Sequence, residues 1–280
     1  MHLLKTPSDM QCWALEQRAG GCRIGCVPTM GCLHEGHLSL VKQAQARADQ
    51  VVVTIFVNPT QFGPNEDFSR YPRTVERDLD LCRAAGVQAV FLPQAAALYP
   101  ADHSVYVVEE RLGGGLCGAS RPGHFRGVCT IVAKLFNLTL PHVAVFGQKD
   151  FQQAAIIRRM VRDLNFPVEI VVAPTLREAD GLAMSSRNRL LAADERNRAL
   201  GLSRALHLAQ EACAAGETDA AAICLRLRDT LTGQYGLRVD YVAAVDGDTL
   251  EPAATLRPGV VIALAAMAGN TRLIDNAVLQ

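Results

Sequence analysis

Apolar positions fall into two regimes along this chain. In the first two thirds, short apolar runs alternate with stretches of helical spacing. Arg23–Val27 reads as a short strand and His37–Ala48 as the helix after it. Val51–Val57 is an unbroken, mostly β-branched run, as expected of a strand buried on both faces. Val75–Ala85 has helical spacing and stops at Gly86, and Ala89–Leu92 is a strand stopped by Pro93. Gly127–Leu138 and Phe151–Leu164 read as helices, and Val143–Phe146 and Val168–Val172 as strands. This alternation predicts an α/β domain whose parallel sheet carries helices on both faces. Such sheets bind ligands beyond the carboxyl ends of their strands.

Beyond Pro174 the order changes. Ala193–Ala214 is a long Ala- and Leu-rich helix and Asp219–Thr232 a second. Arg238–Val245, Val260–Ala266 and Thr271–Asn276 then read as strands. Helices followed by strands predict a smaller α+β domain. The expected division is residues 1–174 and 175–280, a count that suits 280 residues.

Composition narrows the function. The 28 basic and 28 acidic side chains cancel, so the basic excess of a nucleic-acid binder is missing and the expected partner is a small anion. The longest apolar runs, Val51–Val57 and Val260–Ala268, are too short to span a membrane. Met1–Asp9 lacks the apolar stretch of a signal peptide, so a cytoplasmic location is expected. No pair among the nine cysteines has C-x-x-C spacing. Cys22, Cys26 and Cys32 invite a metal reading, but reduced cysteines acting as small apolar residues are the stronger expectation.

Candidate chemistry gathers where strands or domains end. Pro28–His37 contains His34-Glu35-Gly36-His37 between a strand and a helix. Helix-start N–H groups attract anions, Gly31 and Gly36 permit close backbone approach, and His34 and His37 share a face of the first turn. Two imidazoles there suit charge developing at a phosphorus atom. Asn58 and Gln61, in Val57–Gly63, can hydrogen-bond a hydroxyl and a carboxylate, although Asn-Pro and Gly are also turn residues. Phe146–Gln153 carries Lys149, a point charge suited to phosphate. There Asp150 and Gln153 also fit a helix capping box. Gly181–Arg189 offers Ser185, Ser186 and the Arg187 fork, or simply a capping loop. Arg126, in His124–Gly127, is a further phosphate contact or a solvated loop residue, and Gly113–Gly115 reads as a turn.

With Pro28–His37, Asn58–Gly63, Tyr71–Thr74, His124–Val128, Phe146–Gln153 and Arg177–Asn188 in this order and spacing, the sequence resembles the pantothenate synthetase (pantoate–β-alanine ligase) family over nearly its whole length. The resemblance implies a Rossmann-like nucleotidyltransferase core. It also implies a smaller C-terminal domain that closes over the ATP phosphates. The implied reaction joins pantoate to β-alanine through a pantoyl adenylate, using ATP and Mg²⁺. ATP would be bound by Met30, Gly31, Cys32, Leu33, His34, Glu35, Gly36, His37, Gly147, Gln148, Lys149, Asp150, Leu176, Met184, Ser185, Ser186 and Arg187. His37 would be the proton donor or a stabiliser of negative charge, with His34 and Lys149 beside it in catalysis. Gln61, Gln153 and Asn58 would bind the small substrates. A homodimer is implied as well. No metal ligands are identified; Asp78 is the one carboxylate considered. Cys26 and Cys32 depart from the family, standing where a larger apolar residue and an alanine are expected. The alternatives are another adenylyltransferase, whose product keeps AMP, and a tRNA-synthetase relative or RNA-binding module, for which the segment Thr175–Gln280 is short and lacks a basic aromatic face.

Overall fold

The structure is a computed structural model that describes residues 1–64 and 66–280. In chain order its elements are β1 (His2–Leu4), α1 (Pro7–Ala19), β2 (Ile24–Thr29), α2 (Glu35–Gln45), β3 (Gln50–Ile55), α3 (Val75–Ala84), β4 (Ala89–Phe91), α4 (Ala95–Leu98), α5 (Cys117–Ser120), α6 (His124–Thr139), β5 (Val143–Gly147), α7 (Phe151–Asp163), β6 (Glu169–Ala173), α8 (Ala193–Ala214), α9 (Ala220–Asp229), β7 (Arg238–Asp246), β8 (Val260–Ala268) and β9 (Thr271–Val278). Its contacts divide the chain into two units. The first is Met1–Glu110, Arg121–Gly147 and Ile156–Pro174; the second is Arg111–Ser120, Gln148–Ala155 and Thr175–Gln280.

The first unit, among the described residues, is built on a six-stranded sheet of order β1-β4-β3-β2-β5-β6, parallel throughout. Val27, Val51, Val53, Val143 and Val145 face α2 and α3. Strand alternation sends Ile24, Cys26 and Val52 to the opposite face, and all three are fully buried there. On that face Cys26 meets Thr139 of α6, and burial pushes its thiol up to about 12 despite that hydrogen bond. Both faces of the sheet are therefore covered, which is why its strands read as continuous apolar runs. The chain steps from β2 outward through β3 to β4, then returns to place β5 on the other side of β2. This reversal makes the carboxyl ends of β2 and β5 a topological switch point, where open parallel sheets bind ligands.

The second unit packs α8 and α9 on an antiparallel sheet of order β7-β8-β9. Leu202, Leu206, Leu227, Leu231, Ile262 and Leu264 fill the layer between helices and sheet. The α9 pattern extends past Asp229 as a π-helical turn, Thr230–Gln234, which buries Leu231.

Candidate active site

The turn that follows β2 is held from within. Gly31 and Cys32 both lie in the left-handed region, with φ of 79° and 50°. This reversal aims the N–H groups of Cys32 and Leu33 inward, where Asp78 accepts one on each carboxylate oxygen at 2.8 Å. Asp78 is buried at the start of α3, and the Thr74 hydroxyl donates to it at 3.0 Å. Both of its oxygens are thus engaged by the turn it holds. A Cβ on residue 31 would come within 3.0 Å of Asp78 and Ile55, which restricts that position to glycine.

His34 is the extended residue before α2, and its ring centroid lies 4.1 Å from that of His37. The His34 N–H donates to Nδ1 of His37 at 3.3 Å. With Nδ1 accepting, the ring proton of His37 resides on Nε2, a donor suited to a phosphate oxygen. Cys32 and Leu33 are buried, so the turn is anchored by side chains on one side and by Asp78 on the other.

Met30, at the head of the same turn, meets the second predicted block. Nε2 of Gln61 lies 2.9 Å from the Met30 sulfur, and Oε1 of Gln61 accepts from Asn58 at 3.2 Å. Asn58 also donates to the Gly127 carbonyl at 3.1 Å and accepts from the Thr60 hydroxyl at 3.0 Å. Its amide is thereby fully engaged inside the protein, where it fixes the orientation of Gln61. Helix α6 approaches so closely that a Cβ on Gly127 would overlap the Thr60 carbonyl. His124 donates from Nδ1 to the Gln61 carbonyl at 2.8 Å while Nε2 accepts from Arg121 at 3.0 Å. Arg121 also grips Glu66 with bonds of 2.8 and 2.6 Å. Burial alone would raise the Glu66 carboxyl, but the hydrogen bonds and charge of Arg121 outweigh it and leave the group below its ordinary value. The predicted blocks at 28–37, 58–63 and 124–128 are thus joined into one site.

In the second unit, Gln148–Asp150 winds as a 3-10 turn running directly into α7. Asp150 is the last residue of that turn and immediately precedes α7, where the sequence suggested a helix cap. The next polar residue, Gln152, is buried and donates to the Leu112 and Gly115 carbonyls at 2.9 and 2.8 Å, which ties down the glycine-rich turn. The Gln148 and Lys149 carbonyls each accept from Nδ2 of Asn276 at 3.0 Å.

Leu176 and Met184, two of the predicted ATP contacts, are brought together by a backbone bond of 3.0 Å across a short hairpin. Gly181 turns that hairpin with a φ of 94°. Arg177 braces it, donating to the Gly181 carbonyl at 3.1 Å and forking onto Asp275 at 2.7 and 3.1 Å. Arg196 adds bonds to Glu178 at 2.7 Å and to Asp180 at 2.6 Å. The Ser185 hydroxyl accepts from the Arg187 N–H at 3.2 Å and so caps the 3-10 turn Ser186–Leu190.

Sequence reasoning missed the anchoring of the first turn by Asp78, the Arg121–Glu66 pair, and the Asp275–Asn276 pair. For the last a signal existed: two polar residues interrupt the apolar run of β9, and both are buried. Among the described residues no three His, Cys, Asp or Glu side chains converge as a metal set, and no helix is long and apolar enough to cross a membrane.

Against known proteins, a family model described as pantoate-beta-alanine ligase matches residues 2–278. The chain belongs to that family. A pantothenate synthetase of Moorella thermoacetica is 55% identical over 280 residues, covering 100% of this chain and 99% of its own length. The crystal structure of the pantothenate synthetase from Thermus thermophilus superposes with a TM-score of 0.94 at 43% identity, with 99% of each chain covered. The pantoate-beta-alanine ligase of Francisella tularensis, solved in complex with beta-gamma ATP and β-alanine, gives a TM-score of 0.81 at 31% identity. That match covers 99% of this chain and 97% of the Francisella chain. The expected α/β core with a smaller antiparallel sheet is the fold these structures share.

Proposed function

We propose that this chain carries out the two-step pantoate–β-alanine ligase reaction with the residues named above. A carboxylate oxygen of pantoate attacks the α-phosphorus of ATP. The bond to the bridging oxygen breaks, pyrophosphate leaves, and pantoyl adenylate remains. The amine of β-alanine then attacks the acyl carbon, the acyl–oxygen bond breaks toward phosphate, and AMP departs as pantothenate forms. Activation is required because a free carboxylate is a poor acyl donor, whereas AMP is a good leaving group.

The observation that carries this reading is the locked His34–His37 turn, with the His37 Nε2 proton set by a backbone donor. Nε2–H stabilises charge on the phosphate as it develops, with His34 alongside. Met30 to His37, Gly147 to Asp150, Leu176 and Met184 to Arg187 hold ATP. Within that set the Lys149 ammonium and the Arg187 guanidinium take phosphate oxygens. Gln61 and Gln153 orient pantoate, and Asn58 acts through Gln61. Mg²⁺ arrives as part of the MgATP substrate, which suits an ion that keeps its waters and binds through substrate phosphates.

The protein acts in the cytoplasm, where its thiols stay reduced. It works as a homodimer, a reading supported by Val105 and Val108, which are 76% and 56% exposed close together in the chain. Sedimentation velocity tests that assembly. For the chemistry, ATP–pyrophosphate exchange is expected to require pantoate and not β-alanine. Exchange in the absence of pantoate, or a product that retains AMP, would overturn the reading in favour of another adenylyltransferase.

A further inference from the structure

The carboxamide of Asn276 is the donor that holds the Gln148 and Lys149 carbonyls, at 3.0 Å each. Its Oδ1 in turn lies 3.5 Å from Nε2 of Gln148. Asn276 is 4% exposed, in register with Ala263 of β8, so it has no room to choose another partner. The residue before it is equally constrained. Asp275, 3% exposed, accepts the Asn276 N–H on Oδ1 at 2.8 Å and receives the Arg177 fork on both oxygens. Arg177 opens the hairpin that pairs Leu176 with Met184. One short piece of β9 therefore grips the Lys149 turn with an amide and the base of the Met184–Arg187 segment with a carboxylate.

Resting on the ligase reading, we infer that Asn276 is a positioning residue for the adenylylation half of the reaction, aiming Lys149 at the phosphates, and that the Arg177–Asp275 pair holds Asn276 in place for that task. Two carbonyls pointing to one side of a tight turn repel each other, and a single NH₂ group relieves both. Without it the turn relaxes, and the ammonium group loses its aim. A bidentate Arg–carboxylate pair whose acid is buried is a rigid base for such a clamp. Lys149 is assigned to the oxygens that leave as pyrophosphate; the adenylate keeps only its α-phosphate, so the second half-reaction does not depend on the clamp.

The test uses the full chain and two assays: pantoate-dependent ATP–pyrophosphate exchange, and β-alanine capture of supplied pantoyl adenylate. Asn276→Ala is expected to lower the exchange kcat about 100-fold, the scale of a catalytic group displaced by an ångström. Capture of the supplied adenylate is expected to stay within about twofold of wild type. Placed on Lys149→Ala, the same change is expected to add no further loss, because both act through one ammonium group. Equal losses in both assays would mark a merely structural role and overturn the inference, as would a full multiplicative loss in the double variant.

Should Asn276→Ala not fold, Arg177→Lys keeps the charge, removes the fork, and is expected to lower exchange about tenfold while sparing capture. Wild-type exchange in Arg177→Lys would then overturn the inference. A wild-type chain with no pantoate-dependent exchange would defeat the ligase reading and this inference with it. Exchange lost in Lys149→Ala but retained in Asn276→Ala would defeat this inference alone.

Discussion

The Met30–His37 turn is held by a carboxylate, the Gln148–Asp150 turn by a carboxamide. In the first, left-handed residues rotate two N–H groups inward and a buried acid, Asp78, accepts both. In the second, a 3-10 turn leaves two carbonyls side by side and a buried amide, Asn276, donates to both. The sign of the leftover backbone group selects the side chain that anchors it. The anchors also differ in reach along the chain, 46 residues from Cys32 to Asp78 and 127 from Lys149 to Asn276.

The largest expected effect falls on the groups these anchors present. His37→Ala and Lys149→Ala should each lower exchange by about 100- to 1000-fold. Urea unfolding of Lys149→Ala should stay within about 0.5 kcal/mol of wild type, whereas His37→Ala should lose about 1 kcal/mol because it gives up the acceptor of the His34 N–H. Turnover at the wild-type rate in either variant would remove that turn from the comparison.

Next comes the acid anchor. Asp78→Ala should cost about 3 kcal/mol by leaving two buried N–H groups without an acceptor, and Asp78→Asn somewhat less. A wild-type urea midpoint for Asp78→Ala would show that the turn holds itself without Asp78.

Gly127→Ala follows, at about 2 kcal/mol for overpacking against the Thr60 carbonyl. Since that backbone carries Gln61, the KM for pantoate should rise more than the KM for ATP. Equal changes in the two KM values would contradict the placement of Gln61 beside pantoate.

The smallest effect is in acid. The Glu66 carboxyl is lower in the folded protein than in the unfolded chain, so its contribution is complete above the unfolded value of about 4.3 and fades as pH falls through the folded one. Because the pair with Arg121 is partly exposed, the contribution is about 0.5–1 kcal/mol after screening. Glu66→Gln should therefore be less stable at neutral pH and converge with wild type as pH falls through the lowered Glu66 value. A difference that stays constant throughout the acid limb would mean that Glu66 acts through packing rather than charge.

How much of this was legible depends on whether the information was local. Val51–Val57 and Ala193–Ala214 announced themselves because burial on both faces, or helical spacing over many turns, writes itself into composition; the second matches α8 end to end. The opening α1 did not. It buries Met10, Trp13 and Ala14 while leaving Leu15 more than half exposed, so its spacing carries little of its orientation. The residues proposed to face ligands were legible as polar groups at strand ends. Their anchors were not, since Asp78 lies in a charged first turn with Glu76 and Arg77, and only the distant backbone it meets distinguishes it. Asn58 reads equally as ligand contact or turn residue; the structure adds that its amide is engaged by Gln61 and Gly127.

The separation between Lys149 and Asn276 also sets an order of events at the ribosome. Asp78 emerges soon after the residues it restrains, so the histidine turn has its partner almost at once. Lys149 must wait for another 127 residues, roughly 10 s at ordinary elongation rates, before the amide that holds its carbonyl exists. A nascent chain stalled in that interval carries both partners of the histidine turn but a lysine turn still without its anchor.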